Sequence, residues 1–304
     1  MSKIFKYKVF NLILHSLNLE IPELQKTSTN QKPDIIVKKE NSILWPPIPK
    51  NKENTYFISI AKEEVRITIE GIGYLRITNG NQIAWEKLDN VPERDIINII
   101  LSSGLGTILI QKNIIVFHGN ALAKDGKAII CLGSSGSGKS TLAYALLKEG
   151  WELIADDLVA IQENIILPGI PRIKLWHDAI RAFNIDHKKL TKVRSKIKKY
   201  ILMDQDINHI KNPISFEKIY LIRSNNEGRI FKISIESQKE IFIRLRNNLF
   251  RPRFVRGLGQ EGYIFKTLTN MQDKLNVDFL SLPDNINQMQ KSLTKIDLLD
   301  DNKI

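Results

Sequence analysis

The stretch Gly133-Ser134-Ser135-Gly136-Ser137-Gly138-Lys139-Ser140-Thr141 decides how this chain is read. It runs glycine, four residues, glycine, lysine, then a hydroxyl residue, the pattern of a phosphate-cradling loop. Each residue type has a physical reason. Glycines let the backbone curl until successive N–H groups face one anion. A helix that begins at the lysine adds its positive end. Lys139 brings a mobile charge for the β- and γ-phosphates, and the Ser140 hydroxyl suits magnesium. The competing reading is a Gly/Ser-rich linker that fits by chance. The flanks argue against a linker. The apolar run 128–132 has strand length, and Leu142, Ala143, Ala145 and Leu146 cluster at helical spacing before the stop at Gly150.

Working outward, a second apolar run at 114–117 precedes the loop's strand, and Lys124-Asp125-Gly126-Lys127 between them suits a tight reversal. The loop's strand is therefore expected to be fed by a hairpin, which makes the sheet mixed. His118 follows the run at 114–117. A lone histidine is more often structural than catalytic. If its strand pairs with 128–132, the reversal need not bring it to the loop. Downstream, residues 152–155 form a short strand ending at Asp156-Asp157. Acids there either hold magnesium and act as base toward a hydroxyl, or simply cap a turn. The neighbouring loop favours the first.

Residues 1–89 read as β-rich. Segments 56–60, 65–69 and 74–77 carry β-branched and aromatic residues between turn signals, and the three-proline stretch at 45–54 reads as a loop. Asn90-Val91-Pro92-Glu93 looks like a helix start, with apolar Ile96, Ile97, Ile100 and Leu101 at helical spacing and a second short helix over 105–111. This gives a β-rich N-terminal domain over 1–89 and a loop-bearing domain over 90–304. Residues 218–223 and 229–235 read as strands, and the polar tail after Ser292 is expected to fray.

His118-Gly119-Asn120-Ala121-Leu122-Ala123, the glycine-rich loop and Leu153-Ile154-Ala155-Asp156-Asp157 together resemble the HPr kinase/phosphorylase family and its relatives. His118 lies 21 residues before Lys139 and Asp157 lies 18 after it. The resemblance extends to residues 17–24, to Pro168-Gly169-Ile170-Pro171-Arg172 and to Leu175-Trp176. These flanks look more like HPr-kinase-related proteins found beside peptide-modification genes. The resemblance implies an α/β fold with a phosphoenolpyruvate-carboxykinase-like P-loop core, ATP and Mg2+ as ligands, and transfer to a serine hydroxyl of a peptide or protein. By matched position it implies Asp157 as base, His118 assisting it, Lys139 steadying the γ-phosphate, Ser140 on magnesium and Asp156 supporting the metal shell. It also implies a closed homo-oligomer. Two positions depart from HPr kinase: Thr141 stands where a glutamate follows Lys-Ser, and no later metal-binding glutamate aligns beyond Leu167. A small-molecule kinase for a hydroxy amino acid and a nucleotide-gated binding module are the alternative readings.

Bulk properties set bounds. The 304 residues are 42% hydrophobic and 26% charged, an ordinary globular balance. The single cysteine, Cys131, excludes an intramolecular disulfide and reads as a small buried apolar residue, which suits a reducing cytoplasmic setting. The apolar stretch at 96–110 is interrupted by Asn98, Ser102, Ser103, Gly104 and Gly106, so no membrane partner is expected. Residues 1–17 lack a signal-peptide cleavage site. The net charge of +12 favours anionic partners. The basic run at 188–199 holds seven cations and no acid, and reads either as a solvated face or as a cationic lid. Arg251, Arg253 and Arg256 form a similar cluster. These runs carry few of the aromatic platforms that nucleic-acid binding needs.

Overall fold

The computed structural model describes residues 3–40, 56–194, 197–203, 207–272 and 274–299. The proline-bearing stretch at 45–54 falls outside the described residues. Eight strands open the chain: β1 (Ile4–Val9), β2 (Leu12–Leu17), β3 (Gln25–Lys26), β4 (Ile35–Lys39), β5 (Tyr56–Ala61), β6 (Glu64–Ile69), β7 (Gly73–Thr78) and β8 (Gln82–Lys87). They form one sheet in the order β3-β1-β2-β4-β8-β7-β6-β5. The segments expected from sequence are β5, β6 and β7. β1 and β2 join through Phe10-Asn11, which sit at φ 51° and 57°. That two-residue reversal contains no glycine, so the usual hairpin signal is missing.

Helix α1 (Glu93–Ile99) starts after Pro92, and α2 (Leu105–Gln111) lies where the sequence expects it. A π-helical turn at Ile100–Gly104 joins them into one buried rod. Then come β9 (Ile115–Phe117), β10 (Gly119–Lys124), β11 (Lys127–Leu132), α3 (Lys139–Lys148), β12 (Glu152–Asp156), β13 (Val159–Gln162) and β14 (Ile165–Leu167). β15 (Arg172–Trp176), α4 (His177–Ala182), β16 (Thr191–Lys192) and β17 (Lys199–Met203) follow. The chain continues with β18 (Ile214–Asn225), β19 (Phe231–Ser234), α5 (Gln238–Asn247), α6 (Pro252–Gly257), α7 (Glu261–Gln272), β20 (Asn276–Pro283) and α8 (Ile286–Leu293).

The second sheet is mixed, as the hairpin argument requires. β10 is antiparallel to both β11 and β12, whereas β11 and β18, and β18 and β20, run parallel. The pairing corrects one expectation. The partner of β11 is Gly119–Lys124, and the run at 114–117 instead pairs with β13. The turn Asp125-Gly126 has φ of 52° and 77°, the geometry of a tight two-residue hairpin.

β11 reads as a continuous apolar run because both faces are covered. Ile130 and Leu132 join the larger core, which also takes Tyr7, Leu14, Ile96 and Leu101. Ile129 and Cys131 face a second core with Leu142 and Leu146 of α3. Cys131 is fully buried and free, and burial pushes its thiol up to about 12. The end of the chain corrects another expectation. Leu293 and Leu298 are buried, and the Tyr220 hydroxyl donates to Leu298 O at 2.7 Å, so residues 293–299 pack rather than fray, while residues 300–304 of that tail lie outside the described residues. No helix among the described residues is long and apolar enough to cross a membrane.

Candidate functional site

Strand direction assembles the site. β10 runs opposite to β11 and β12, so its first residue lies beside their last ones. Gly119 faces Leu132, and Asn120 faces both Cys131 and Asp156. The residue before β10, the loop after β11 and the residue after β12 therefore meet at one sheet edge. That brings His118 to the glycine-rich loop and to Asp157, which the sequence left open. His118, Gly136, Lys139, Ser140, Thr141 and Asp157 all line one cleft.

Within the loop, Gly138 sits at φ 90° immediately before α3, a conformation that costs glycine little. No side chain caps α3, so its first-turn N–H groups have no side-chain acceptor at the cap. The Lys139 ammonium donates to the carbonyls of Gly133 and Ser134, both at 2.7 Å, which draws the start of the loop over the helix. Ser137 N donates to Ser134 O at 3.2 Å. Burial lowers the Lys139 pKa, opposed by Asp156 and Asp157. Ser135, Gly136 and Gly138 line the cleft, whereas Gly133, Ser134 and Ser137 do not.

The acids divide the work. Ser140 Oγ donates to Asp156 Oδ1 at 3.2 Å, and the Lys174 backbone N–H donates to Asp156 Oδ2 at 3.0 Å. Burial raises the Asp156 carboxyl, and the neighbouring Asp157 charge adds to the rise. Asp157 stands at φ 78°, left-handed backbone that a non-glycine residue seldom adopts. Its Oδ2 accepts from Lys174 Nζ at 2.6 Å. Burial pushes Asp157 up, but Lys174 and His118 outweigh it and hold the carboxyl well below the usual carboxylate range. His118 Nδ1 lies 3.2 Å from Asp157 O and 3.7 Å from Asp157 Oδ1. A carbonyl only accepts, so the proton sits on Nδ1 in this arrangement.

Magnesium is tested by the donor set. Among the described residues no group of three or more His, Cys, Asp or Glu side chains could hold a metal. The described residues therefore form no tight all-protein metal cage. One carboxylate beside one hydroxyl, Asp156 and Ser140, is the sparse set that magnesium takes when phosphates and waters complete its shell. Asn120 adds to the fit. Its side chain is fully buried beside Asp156, and neither amide atom has a protein partner. A buried amide without a partner is costly, and ordered water next to a cation satisfies it.

Sequence reasoning missed Lys174. The strand β15, Arg-Ile-Lys-Leu-Trp, alternates so that Ile173 and Leu175 enter the second core while Arg172, Lys174 and Trp176 share the opposite face. That alternation was the available signal. Arg172 Nη1 donates to Glu23 Oε1 and Asn98 Oδ1, both at 3.2 Å. The flanking stretches 17–24 and 168–172 therefore meet in space. The basic run is also tied down. Arg94 Nε donates to Lys192 O at 2.7 Å, Asn98 donates to Val193 O, and Lys199 lines the cleft. Residues 195 and 196 of that run lie outside the described residues. Arg251 is structural: it stacks over Phe250 and Phe254 and donates to Ser103 Oγ at 2.8 Å.

No protein-family model matches the chain, and no curated protein matches it. Among solved structures it is similar to the HPr(Ser) kinase/phosphatase from Coxiella burnetii, at 13% identity and a TM-score of 0.30 over 59% of this chain and 88% of that one. So distant a likeness leaves the chemistry to be argued from the side chains.

Proposed function

We propose that the chain is an ATP-dependent kinase with a P-loop core, transferring the γ-phosphoryl group to a serine hydroxyl of a peptide or protein. The observation that supports this reading is the meeting of His118, Lys139, Ser140, Asp156 and Asp157 around one cleft. Three separate segments contribute, and a chance Gly/Ser linker has no reason to gather them.

Phosphoryl transfer asks for positioning and charge neutralisation more than for a strong base. The loop and the start of α3 hold the phosphates. Lys139 leaves the loop carbonyls for the β- and γ-oxygens. Ser140 and Asp156 would hold magnesium, which when bound neutralises charge on the phosphates. Asp157, kept anionic by Lys174, orients the acceptor hydroxyl and takes its proton late in the transfer. His118 fixes the strained Asp157 backbone through its carbonyl and keeps a second ring nitrogen near the acceptor.

The test is Asp157→Asn, assayed with Mg·ATP and candidate serine peptides by mass spectrometry. Transfer should fall by about 100-fold or more while nucleotide affinity changes little. Wild-type transfer by this variant would remove Asp157 from the chemistry. Failure of the native chain to bind Mg·ATP would remove the kinase reading altogether.

A further inference from the structure

We propose that Trp176, with Lys199 beside it, is the nucleobase platform of the cleft, the indole face on which the base of the bound nucleotide stacks. This inference rests on the nucleotide reading above and adds the subsite that reading leaves blank.

Trp176 is exposed where its kind is usually covered. Its relative exposure is 55%, against 3% for Trp85 and 5% for Trp151. It nevertheless lines the cleft. The exposure is built in rather than frayed. β15 pairs with β17 along its full length, and Trp176 is the register partner of Lys199. The Lys199 ammonium lies 5.3 Å from the ring centroid, a cation over an aromatic face.

The direction of the cleft separates the base from the acceptor. Lys174 marks the γ-phosphate end, because its side chain reaches Asp157. Trp176 projects from the same strand face two residues further on, about 7 Å along a strand. Thr141, which also lines the cleft, lies one residue deeper into α3 than the magnesium candidate Ser140. In a loop of this kind the lysine serves the β/γ side and the backbone cradles the α/β side. A nucleotide with its γ-phosphate at Asp157 therefore sends its base outward, past Thr141, toward Trp176. Among the described residues lining the cleft, the other aromatic ring is that of His118, which lies against Asp157.

The same lining predicts weak base selection. Stacking tolerates every base because each has a π-face. The residue against the Trp176 ring is Lys199, a point-charge donor that does not read a purine edge in two places at once. ATP and GTP should bind within about tenfold of each other.

The experiment uses the full chain and follows tryptophan emission during titration with Mg·ATP, Mg·GTP and magnesium tripolyphosphate, with calorimetry in parallel. Both nucleotides should change the emission, and the change should vanish in Trp176→Phe. Tripolyphosphate should bind without it. Trp176→Ala should weaken Mg·ATP about 10- to 100-fold and leave tripolyphosphate affinity unchanged. Circular dichroism checks that this exposed substitution keeps the fold. If Mg·ATP binds calorimetrically to both native chain and Trp176→Ala with equal affinity, the platform is refuted while the nucleotide reading stands. An emission change on adding a serine peptide alone, with none from nucleotide, assigns the ring to the acceptor and also refutes it. If neither nucleotide nor tripolyphosphate binds, both readings fall together.

Discussion

Lys174 Nζ stands 2.6 Å from Asp157 Oδ2, and the Lys174 backbone N–H stands 3.0 Å from Asp156 Oδ2. One residue of β15 thus addresses both carboxylates of the cleft, with its side chain on one and its main chain on the other. Lys174 is itself buried, so the pair is screened little by solvent.

Lys174→Met therefore has a signed pH consequence. In the native chain the lysine helps hold the Asp157 carboxyl below its ordinary range. Without it, burial is the largest remaining influence and raises the carboxyl. If transfer needs ionised Asp157, the acid limb of kcat/KM moves to higher pH in the variant. A pH–rate profile reads this directly. An unmoved acid limb with otherwise normal kinetics would separate Lys174 from the chemistry.

Asp156 carries the opposite sign. Its folded pKa is raised, first by burial and then by Asp157. Such a carboxyl stabilises the fold when protonated, fully below its unfolded pKa, and loses that contribution as pH rises through the folded value. Once ionised, the buried carboxylate is a liability in the free chain. Asp156→Asn keeps the shape, can still accept from the Lys174 N–H and can donate to Ser140. It should raise the denaturation midpoint at pH values where Asp156 is ionised and flatten this part of the pH dependence. Magnesium-dependent nucleotide affinity should fall by about tenfold or more. A variant that loses stability instead would show that the carboxylate is needed by the fold.

The sequence made the loop, the boundaries of β11 and α3, and the strand ending at Asp156 legible because each has a local cause. Glycine spacing, an apolar run and helical periodicity are all properties of contiguous residues. The placement of His118 was not legible, because it depends on register. Only the pairing of Gly119 with Leu132 turns a residue 21 positions before Lys139 into its neighbour. β10 reads Gly-Asn-Ala-Leu-Ala-Lys, small and partly polar, so it lacks the β-branched signature that marks its partner. Lys174 was hidden for a different reason. Its role rests on a contact to Asp157, with two strands and the segment 168–171 between them.

Gly119→Ala tests that register. A Cβ at this position would meet Cys131 O at 2.4 Å, and the obstacle is backbone rather than a flexible side-chain end. The β10–β11 pair must open locally, at a cost of about 1–3 kcal/mol. His118 adjoins the substituted residue, so its reach to Asp157 should lengthen with it. Urea denaturation and crystallography of the variant check the two halves. Unchanged stability with unchanged His118 geometry would mean that the close approach is not a constraint.

The buried contact between Arg172 Nη1 and Glu23 Oε1, at 3.2 Å, ties the N-terminal sheet region to the strand that carries Lys174 and Trp176. Both side chains are almost wholly buried, at 2% and 1% exposure, and Arg94 adds a second cation to Glu23 at 3.0 Å. Burial favours the neutral form of Arg172, while Glu23 and then the cleft carboxylates favour the charged one. Arginine nevertheless remains charged. Removing Glu23 alone leaves that charge without its salt-bridge partner, and Glu23→Leu should cost about 3–5 kcal/mol. The double variant Glu23→Leu with Arg172→Met removes both charges and should recover most of the loss, because well-packed apolar groups replace a buried pair at little cost. Chemical denaturation of the four chains gives the coupling energy. Recovery of stability without recovery of nucleotide affinity would indicate that Arg172 also sets the position of Lys174. Additive losses would instead show that the two charges are stabilised independently, by Arg94 and Asn98.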